Sequence, residues 1–429
     1  MPRVIGERSM RVTRRAALAG LSLGLGAATG FTPRARAATA LKVTWNGWPE
    51  AQVKPLFEAF QAAHPDISAP YELIPFAQMF QTLEIRLSAR TPEPDVYSCD
   101  SPLTASYAVR GHALALDDML DRTRFSKAAL DAATFRGKLH SAPFATSSIL
   151  LFYNRAYFRQ AGLEPPPADV NRRWTWEQVV DVGRQMADPA QNRWGLIIEQ
   201  AERPYQLLPF GQSLGGVPLS EDGLKATGYI DGPAFVEGFT FLQRLYTDWK
   251  ISPPGVFDNN ITPDLFGSGR SAMLLGGTFD LDLLKQKYPE LDWGVAPHPY
   301  FAAGKPVTPT GSWHIGVNPR SRNRDAVRTF IQFMTSEDAQ IEWFKLRPYP
   351  PVLQSVWDKL PEVFGTEPWR IVRHELDNTA VPRPSSPGYR EFEDLLRVTL
   401  RDMQSGGNVK AMLTATAQRM DRELVKYRA

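Results

Sequence analysis

Residues 41–99 read LKVTWNGWPEAQVKPLFEAFQAAHPDISAPYELIPFAQMFQTLEIRLSARTPEPDVYSC, and this stretch decides the fold class. Alternating or clustered apolar residues predict short strands over 41–45, 71–76 and 96–99. Between the strands, apolar residues recur at helical spacing and predict two amphipathic helices, the first ending at His64. Strands that alternate with helices indicate a mostly parallel sheet with helices on its faces, so we predict an α/β fold.

The composition is that of an ordinary globular protein. The chain has 429 residues, of which 43% are hydrophobic and 22% charged. Because this length exceeds what one small core organises, we expect two lobes. The 11 tryptophans are a surplus that matters, since broad aromatic faces stack on the apolar faces of sugar rings. Most of them are nevertheless expected to serve core packing.

The first 37 residues have the pattern of an export signal rather than of a folded segment. A leader with five arginines precedes a Gly/Ala/Leu-rich stretch at 16–31, which is too short for a stable membrane span. The adjacent arginines Arg14 and Arg15 resemble a twin-arginine signal, and a general secretory signal is the alternative. Small residues at 35–37 predict cleavage after Ala37.

Charge and cysteine content restrict the function classes. The leader carries seven arginines and one acidic residue, so the remainder of the chain is near −3 although the whole chain is +3. No basic stripe remains that would suggest nucleic acid. Cys99 is the only cysteine, so no disulfide can form within the chain, and no lipid anchor is expected at the end of the leader. We therefore predict a soluble protein of a Gram-negative periplasm.

Short segments in a fixed order carry a family resemblance. They lie at 57–66, 94–96, 137–144, 153–163, 175–177, 266–273 and 326–339. Each segment alone is weak evidence for a family, but the whole set in this order is specific. It resembles the extracellular solute-binding proteins of the sugar-binding type, the group that includes maltose- and trehalose-binding proteins.

The resemblance implies a two-lobed periplasmic-binding-protein fold, type II-like, with hinge-linked α/β lobes and the ligand cleft between them. We predict an N-terminal lobe of residues 38–146 and 308–345. Residues 147–307 and 346–429 should form the C-terminal lobe. The chain should cross between the lobes near 146–148, near 305–310, and again after about residue 344.

The resemblance also implies the function. The protein should be the substrate-binding component of an ABC sugar importer that captures a mono- or disaccharide by hinge closure, and not an enzyme. Its partners would be a small-molecule sugar and the membrane permease subunits. We expect a monomer, no cofactor and no metal, because the six histidines and one cysteine form no metal-ligand motif.

Three candidate ligand residues follow from strand ends, because ligands of α/β folds bind beyond the carboxyl ends of parallel strands. Asn46 and Trp48 follow the first strand, as a hydroxyl partner and a stacking platform; a buried loop tryptophan is the alternative for Trp48. Asp100 follows the third strand and could accept bonds from two hydroxyls or cap the next helix.

The other candidates depend on the predicted hinges and on the resemblance. Trp313 and His314 follow the second crossing, and Thr146 lies at the first. In the resembled family a tryptophan commonly stacks on the sugar where this chain has Phe279. The resemblance further places aromatic contacts at Tyr205 and Tyr349, each beside an arginine, and the whole further set is Thr146, Arg203, Tyr205, Phe279, Trp313, His314, Arg347 and Tyr349.

Two rival functions stay open from the residues. A glycerol phosphodiester or another anion would use Arg203 and Arg347. A serine esterase would use Ser213, because residues 211–215 match the G-x-S-x-G nucleophile motif. Against the esterase, Val217-Pro218 follows where a helix should continue, and no oxyanion loop precedes the motif.

Overall fold

A computed structural model describes Thr39–Arg428, with the side chain of Ser312 excepted. The predicted leader at 1–37, with its twin-arginine motif and cleavage site, lies outside this range. The strands of the described part are β1 (Thr39–Ala40), β2 (Val43–Asn46), β3 (Ile67–Ser68), β4 (Tyr71–Ile74), β5 (Val96–Asp100), β6 (Thr134–Phe135), β7 (Lys138–Leu139), β8 (Ala142–Thr146), β9 (Ile149–Asn154), β10 (Trp194–Ile198), β11 (Ser271–Gly277), β12 (Trp293–Ala296), β13 (Thr308–Thr310), β14 (Ser312–Val317) and β15 (Ala380–Pro382).

The α-helices vary from one turn to about four turns. They are α1 (Glu50–Ala63), α2 (Phe76–Ser88), α3 (Thr104–Val109), α4 (Lys127–Ala133), α5 (Arg155–Ala161), α6 (Trp176–Met186), α7 (Pro204–Leu207), α8 (Pro209–Gln212), α9 (Pro233–Tyr246), α10 (Thr262–Gly267), α11 (Asp280–Lys287), α12 (Arg324–Met334), α13 (Glu337–Leu346), α14 (Gln354–Lys359), α15 (Pro361–Phe364), α16 (Trp369–Asn378), α17 (Tyr389–Met403) and α18 (Val409–Leu424). Short 3₁₀ helices lie at Ser101–Leu103, Arg122–Arg124, Val170–Arg172, Pro189–Gln191 and Val425–Tyr427.

Two main sheets organise the chain into two lobes. The first has the strand order β4-β2-β5-β14-β8, with β2 parallel to β4 and β5, and β14 antiparallel to its neighbours. The second has the order β10-β11-β9-β12, with β10 and β11 parallel and β9 antiparallel to both neighbours. The two-lobed α/β architecture agrees with the predicted fold class.

Large aromatic side chains fill the core of each lobe. In the first lobe Trp45 packs edge-on against Phe57, Phe144 and Phe330, with ring centroids 5.4–6.4 Å apart. In the second lobe Trp176 stacks on Phe210 at 4.4 Å. Burying one such side chain stabilises the fold by about 1.5–3 kcal/mol, so these clusters fix the helices on their sheets.

The chain passes from one sheet to the other and back again. Strand β8 of the first sheet is followed, after Ser147 and Ser148, by β9 of the second sheet. The return runs from β12 through β13 to β14, and β13 pairs in parallel with β15 from the later part of the chain. Ser147 fixes the first passage to the second, since its amide donates to the carbonyl of Gly311 at 2.8 Å.

The segment after residue 346 contacts both lobes. Leu353 forms a bridge with Phe125, and Ser126 donates to the carbonyl of Val352 at 3.0 Å. This part, which the sequence analysis assigns to the C-terminal lobe, thus contacts the first lobe. Helices α17 and α18 pack on each other and on α7 and α9 of the second lobe. The exact lobe boundaries stay a prediction.

Candidate ligand-binding cleft

A cavity of about 400 Å³ lies between the two sheets. The carboxyl ends of β2, β5, β10 and β11 border it, so the elements meet as the strand-end rule predicts. Its lining residues are Asn46, Gly47, Trp48, Pro49, Phe76, Asp100, Trp313, Arg347 and Tyr349 on the first wall, Glu199, Gln200, Arg203, Tyr205, Asn259, Asn260, Phe279, Asp280 and Leu283 on the second, and Ser147, Gly311 and Arg383 between them.

Most of the sequence-predicted candidates share this cavity, although they come from segments far apart in the chain. Those that line it are Asn46, Trp48, Asp100, Arg203, Tyr205, Phe279, Trp313, Arg347 and Tyr349. Their role in ligand binding stays a prediction.

Thr146 and His314 do not line the cavity. The hydroxyl of Thr146 donates to the carbonyl of Gly311 at 3.1 Å. His314 is 1% exposed and its Nδ1 pairs with the hydroxyl of Ser141 at 2.8 Å. Successive residues of a strand point to opposite faces, so the position that brings Trp313 to the cavity turns His314 away from it. Burial, with the nearby cation of Arg383, lowers the pKa of His314 to about 3.

Aromatic side chains form much of the first wall. The ring of Trp48 lies edge-to-face with Trp313 at 5.8 Å and 5.9 Å from Tyr349. Phe76 lies edge-to-face with Trp313 at 6.0 Å and is 37% exposed. Trp48 is 6% exposed and packs against Trp343, as a buried loop tryptophan would, while its edge still lines the cavity. The half-buried Trp313 and the exposed Phe76 offer the more accessible flat faces.

A buried ion pair contributes to the lining of the cavity. Both guanidinium nitrogens of Arg383 contact the carboxylate of Asp100, one pair at 2.9 Å, and the side chains are 7% and 5% exposed. The guanidinium also lies 5.2 Å from the ring centre of Tyr205. Sequence reasoning missed Arg383 because no local signal links it to Asp100 across 283 positions.

Arg203 and Arg347 differ in how far they are neutralised. Arg203 pairs with Glu393 at 2.6 Å and lies over the ring of Phe76. Arg347 donates to the side chain of Gln52 at 2.8 Å, and none of the ion pairs among residues 39–428 includes it. Arg347 is therefore the cation of the cavity that is most available to an acceptor on a ligand.

Two carboxyl groups on the second wall were also missed. Glu199 directly follows β10, and Asp280 lies just beyond β11, its parallel neighbour. Burial raises the pKa of Asp280 to about 7. Burial and then the charge of Asp280 raise the pKa of Glu199 well above its ordinary value. The strand-end rule that selected Asn46 and Asp100 could have found both residues.

Ser213 lacks the surroundings of an esterase nucleophile. It follows helix α8, not a strand, and is 2% exposed. Its hydroxyl donates to the carbonyl of Lys305 at 2.8 Å and accepts from the amide of Phe301 at 3.1 Å. Both bonds fix a loop, and neither involves a histidine.

Neither a membrane-spanning helix nor a cluster of metal-binding side chains is found in the described part of the chain. No helix in it combines the length and apolar character that a membrane span requires. Within the same residues, no group of three or more histidine, cysteine or acidic side chains is arranged to hold a metal ion.

Comparison with known proteins gives consistent matches. The family model described as bacterial extracellular solute-binding protein matches residues 46–341. A relative from Brucella abortus, named as a binding protein, is 24% identical over 388 residues, which are 88% of this chain and 91% of the relative. The solved ABC substrate-binding protein of Listeria monocytogenes in complex with cycloalternan superposes with a TM-score of 0.79 at 22% identity, over 90% of this chain and 99% of that one. UgpB of Mycobacterium tuberculosis in complex with glycerophosphocholine superposes with a TM-score of 0.77 at 20% identity, over 90% of this chain and 98% of that one.

Proposed function

The chain belongs to the bacterial extracellular solute-binding proteins, and from that premise we propose that its cleft captures a neutral mono- or disaccharide for delivery to an ABC importer. The observation that carries the proposal is the pairing of accessible aromatic faces, Phe76 and Trp313, with polar side chains on the facing wall. Aromatic faces cover the C–H surface of a sugar ring, and planar polar groups bind its hydroxyls.

The cleft supports a switch by closure. Its two walls belong to different sheets, which are joined through Ser147 and Gly311. A ligand that contacts both walls only when the lobes are closed shifts the equilibrium by its differential affinity for that form. The closed form would be the one that the permease subunits bind. We propose that the protein acts as a periplasmic monomer, since a closing cleft needs no second copy, and that it catalyses no reaction.

A thermal-shift panel tests the proposal. Neutral sugars and polyols should include at least one that raises the melting temperature, because a ligand at 100 times its Kd stabilises the folded state by about 2.7 kcal/mol. Wild-type protein should not hydrolyse p-nitrophenyl acetate. Turnover that disappears in Ser213→Ala would show the esterase instead.

An anionic ligand such as a glycerol phosphodiester is the second candidate. The observation that favours it is Arg347, whose guanidinium has no carboxylate partner within the described ion pairs and lines the cavity. The similar structure of UgpB with glycerophosphocholine gives the same candidate. Arg347→Gln discriminates the two: it should abolish binding of a phosphodiester and leave most of the affinity for a neutral sugar.

A further inference from the structure

Glu199 and Asp280 place two buried carboxyl groups at one edge of the second sheet. They are 2% and 3% exposed, and both line the cavity. Ile198 pairs with Leu275 in the parallel strands β10 and β11, so Glu199 lies beside Gly276. The carboxylate of Asp280 packs against the same glycine, which brings the two acidic residues to one edge of the sheet. The ion pairs among residues 39–428 include neither carboxyl group.

The turn after β11 is built to hold Asp280 against the strand. The amide of Gly277 donates to Oδ2 of Asp280 at 2.8 Å. A Cβ atom at Gly276 would lie 2.6 Å from the same oxygen, so a side chain at this position would displace the carboxylate of Asp280. On the other carboxyl group, the side chain of Gln206 donates to Oε2 of Glu199 at 2.5 Å. Each carboxyl group thus has one oxygen fixed by the protein.

The charges that face the pair do not neutralise it. Arg203, the nearest cation to Glu199, is already paired with Glu393. Arg347 acts on Asp280 from the opposite wall without forming an ion pair with it. The remaining polar neighbours are Gln200 and Gln206, which carry no charge. Burial is the largest influence on both groups and favours their protonated forms, raising the pKa of Asp280 to about 7 and the pKa of Glu199 well above its ordinary value.

We propose that Glu199 and Asp280 form a buried carboxyl pair that selects the charge of the ligand, binding the hydroxyls of a neutral sugar and rejecting a carboxylate or phosphate at that end of the cleft. The inference rests on the proposed function and names the specificity device of the same site. A protonated carboxyl group donates and accepts hydrogen bonds, so each member of the pair can bind a sugar hydroxyl. An anion placed there would lose its hydration beside two carboxyl groups that belong to no ion pair, and it would meet like charge once either of them ionises.

The binding test uses probe pairs that differ in charge: glucose with glucuronate, galactose with galacturonate, and mannitol with gluconate. In titration calorimetry, wild type should bind each acidic probe with an affinity at least about tenfold lower than that for its neutral partner. Raising the pH from 6 to 8 should weaken the acids further, because deprotonation of Asp280 adds negative charge. Asp280→Asn and Glu199→Gln should reduce the discrimination about tenfold, whereas Asp280→Ala should weaken the neutral sugar about tenfold.

Asp282→Asn is the matched control, since Asp282 lies in the same first turn of α11 and does not line the cavity. It should leave affinity and discrimination unchanged. Equal binding of acid and neutral probes by wild type, or unchanged discrimination in both isosteric variants, overturns the inference.

A ligand-free arm separates this inference from the proposed function. The folded state holds a proton on Asp280 up to about pH 7, whereas the unfolded chain releases it near the ordinary value of 3.8. Relative to Asp280→Asn, the urea midpoint of wild type should therefore fall as pH rises from 4 to 8. If the urea midpoints of wild type and Asp280→Asn change with pH in the same way, the inference about the carboxyl pair is wrong even if a sugar binds. If the midpoints diverge as expected but no neutral probe binds, the proposed function and the recognition by the pair both fail.

Discussion

At the scale of single residues, the buried pair of Asp100 and Arg383 has the largest predicted consequence for stability. Removing one partner of a buried ion pair leaves the other charge uncompensated, which costs about 3 kcal/mol or more. Asp100→Asn should lower the free energy of unfolding by about that amount in urea titrations. The exposed pair of Glu72 with Arg86 is the control, and Glu72→Gln should cost less than about 1 kcal/mol. Equal losses for both variants would contradict this account.

His314 predicts a pH dependence of stability. Its imidazole is neutral in the folded protein, with a pKa of about 3, and protonates near 6.5 when unfolded. The unfolded state therefore binds more protons between these values, and stability falls as pH falls from 6.5 toward 3. At pH 5 this group should cost about 2 kcal/mol relative to pH 7.5.

The measurement is the difference in urea midpoint between pH 7.5 and pH 5 for wild type and His314→Gln. The difference should be smaller in the variant, because glutamine does not titrate. His298, whose pKa is lowered to about 3 by burial and by Arg173, remains in both proteins and does not affect the comparison. An undiminished acid loss in His314→Gln would show that the histidine is charged when folded.

Sequence reasoning located cavity-lining residues where one local rule was enough. Asn46, Trp48 and Asp100 follow strands that the alternation of apolar residues predicts. His314 was selected together with Trp313 because both follow the predicted second crossing, but it lies on the opposite face of β14, where its ring pairs with Ser141. Arg383 could not be found, because its partner is fixed only by tertiary packing.

At the scale of elements, the close contact of α8 with α9 depends on Gly238. A Cβ atom there would lie 2.2 Å from the carbonyl oxygen of Phe210. Gly238→Ala should therefore force the helices apart and cost about 1–3 kcal/mol, despite the better helix propensity of alanine. The exposed Glu237 on the same helix is the control, and Glu237→Ala should change stability by less than about 0.5 kcal/mol. A neutral or stabilising Gly238→Ala would contradict the packing described.

Elements were predictable where local signals agree. The capping box of α6 is present, with Thr175 accepting from Gln178 and the side chain of Gln178 accepting in return. Gly137-Lys138 predicts a hairpin turn, and β6 and β7 are joined by a turn at residues 136–137, with Lys138 as the first residue of β7. The apolar residues over 205–216 predict a single helix, which is wrong: the structure has α7 and α8, and Pro209 at the start of α8 lacks the amide that would continue α7.

At the scale of the whole molecule, the fold followed from the order of its elements. Strands alternating with helices, and a chain too long for one core, predicted two α/β lobes. The path of the chain after residue 346 was harder to predict from the sequence, because its helices contact both lobes. Hydrophobic periodicity shows that a helix has a buried face, but it does not show which lobe that face covers. The cleft between the lobes contains residues that are up to 337 positions apart, Asn46 and Arg383 among them.

The central claim is that one sugar contacts both walls of the cleft. Calorimetric titration of the sugar that most stabilises wild type, into Trp313→Ala from the first wall and Asp280→Ala from the second, tests it most directly. Trp194→Ala, a half-buried tryptophan away from the cavity, is the control. We predict that both wall variants lose affinity by about tenfold or more and that the control does not. Wild-type affinity in either wall variant would show that the ligand is held by one lobe alone and would contradict the account.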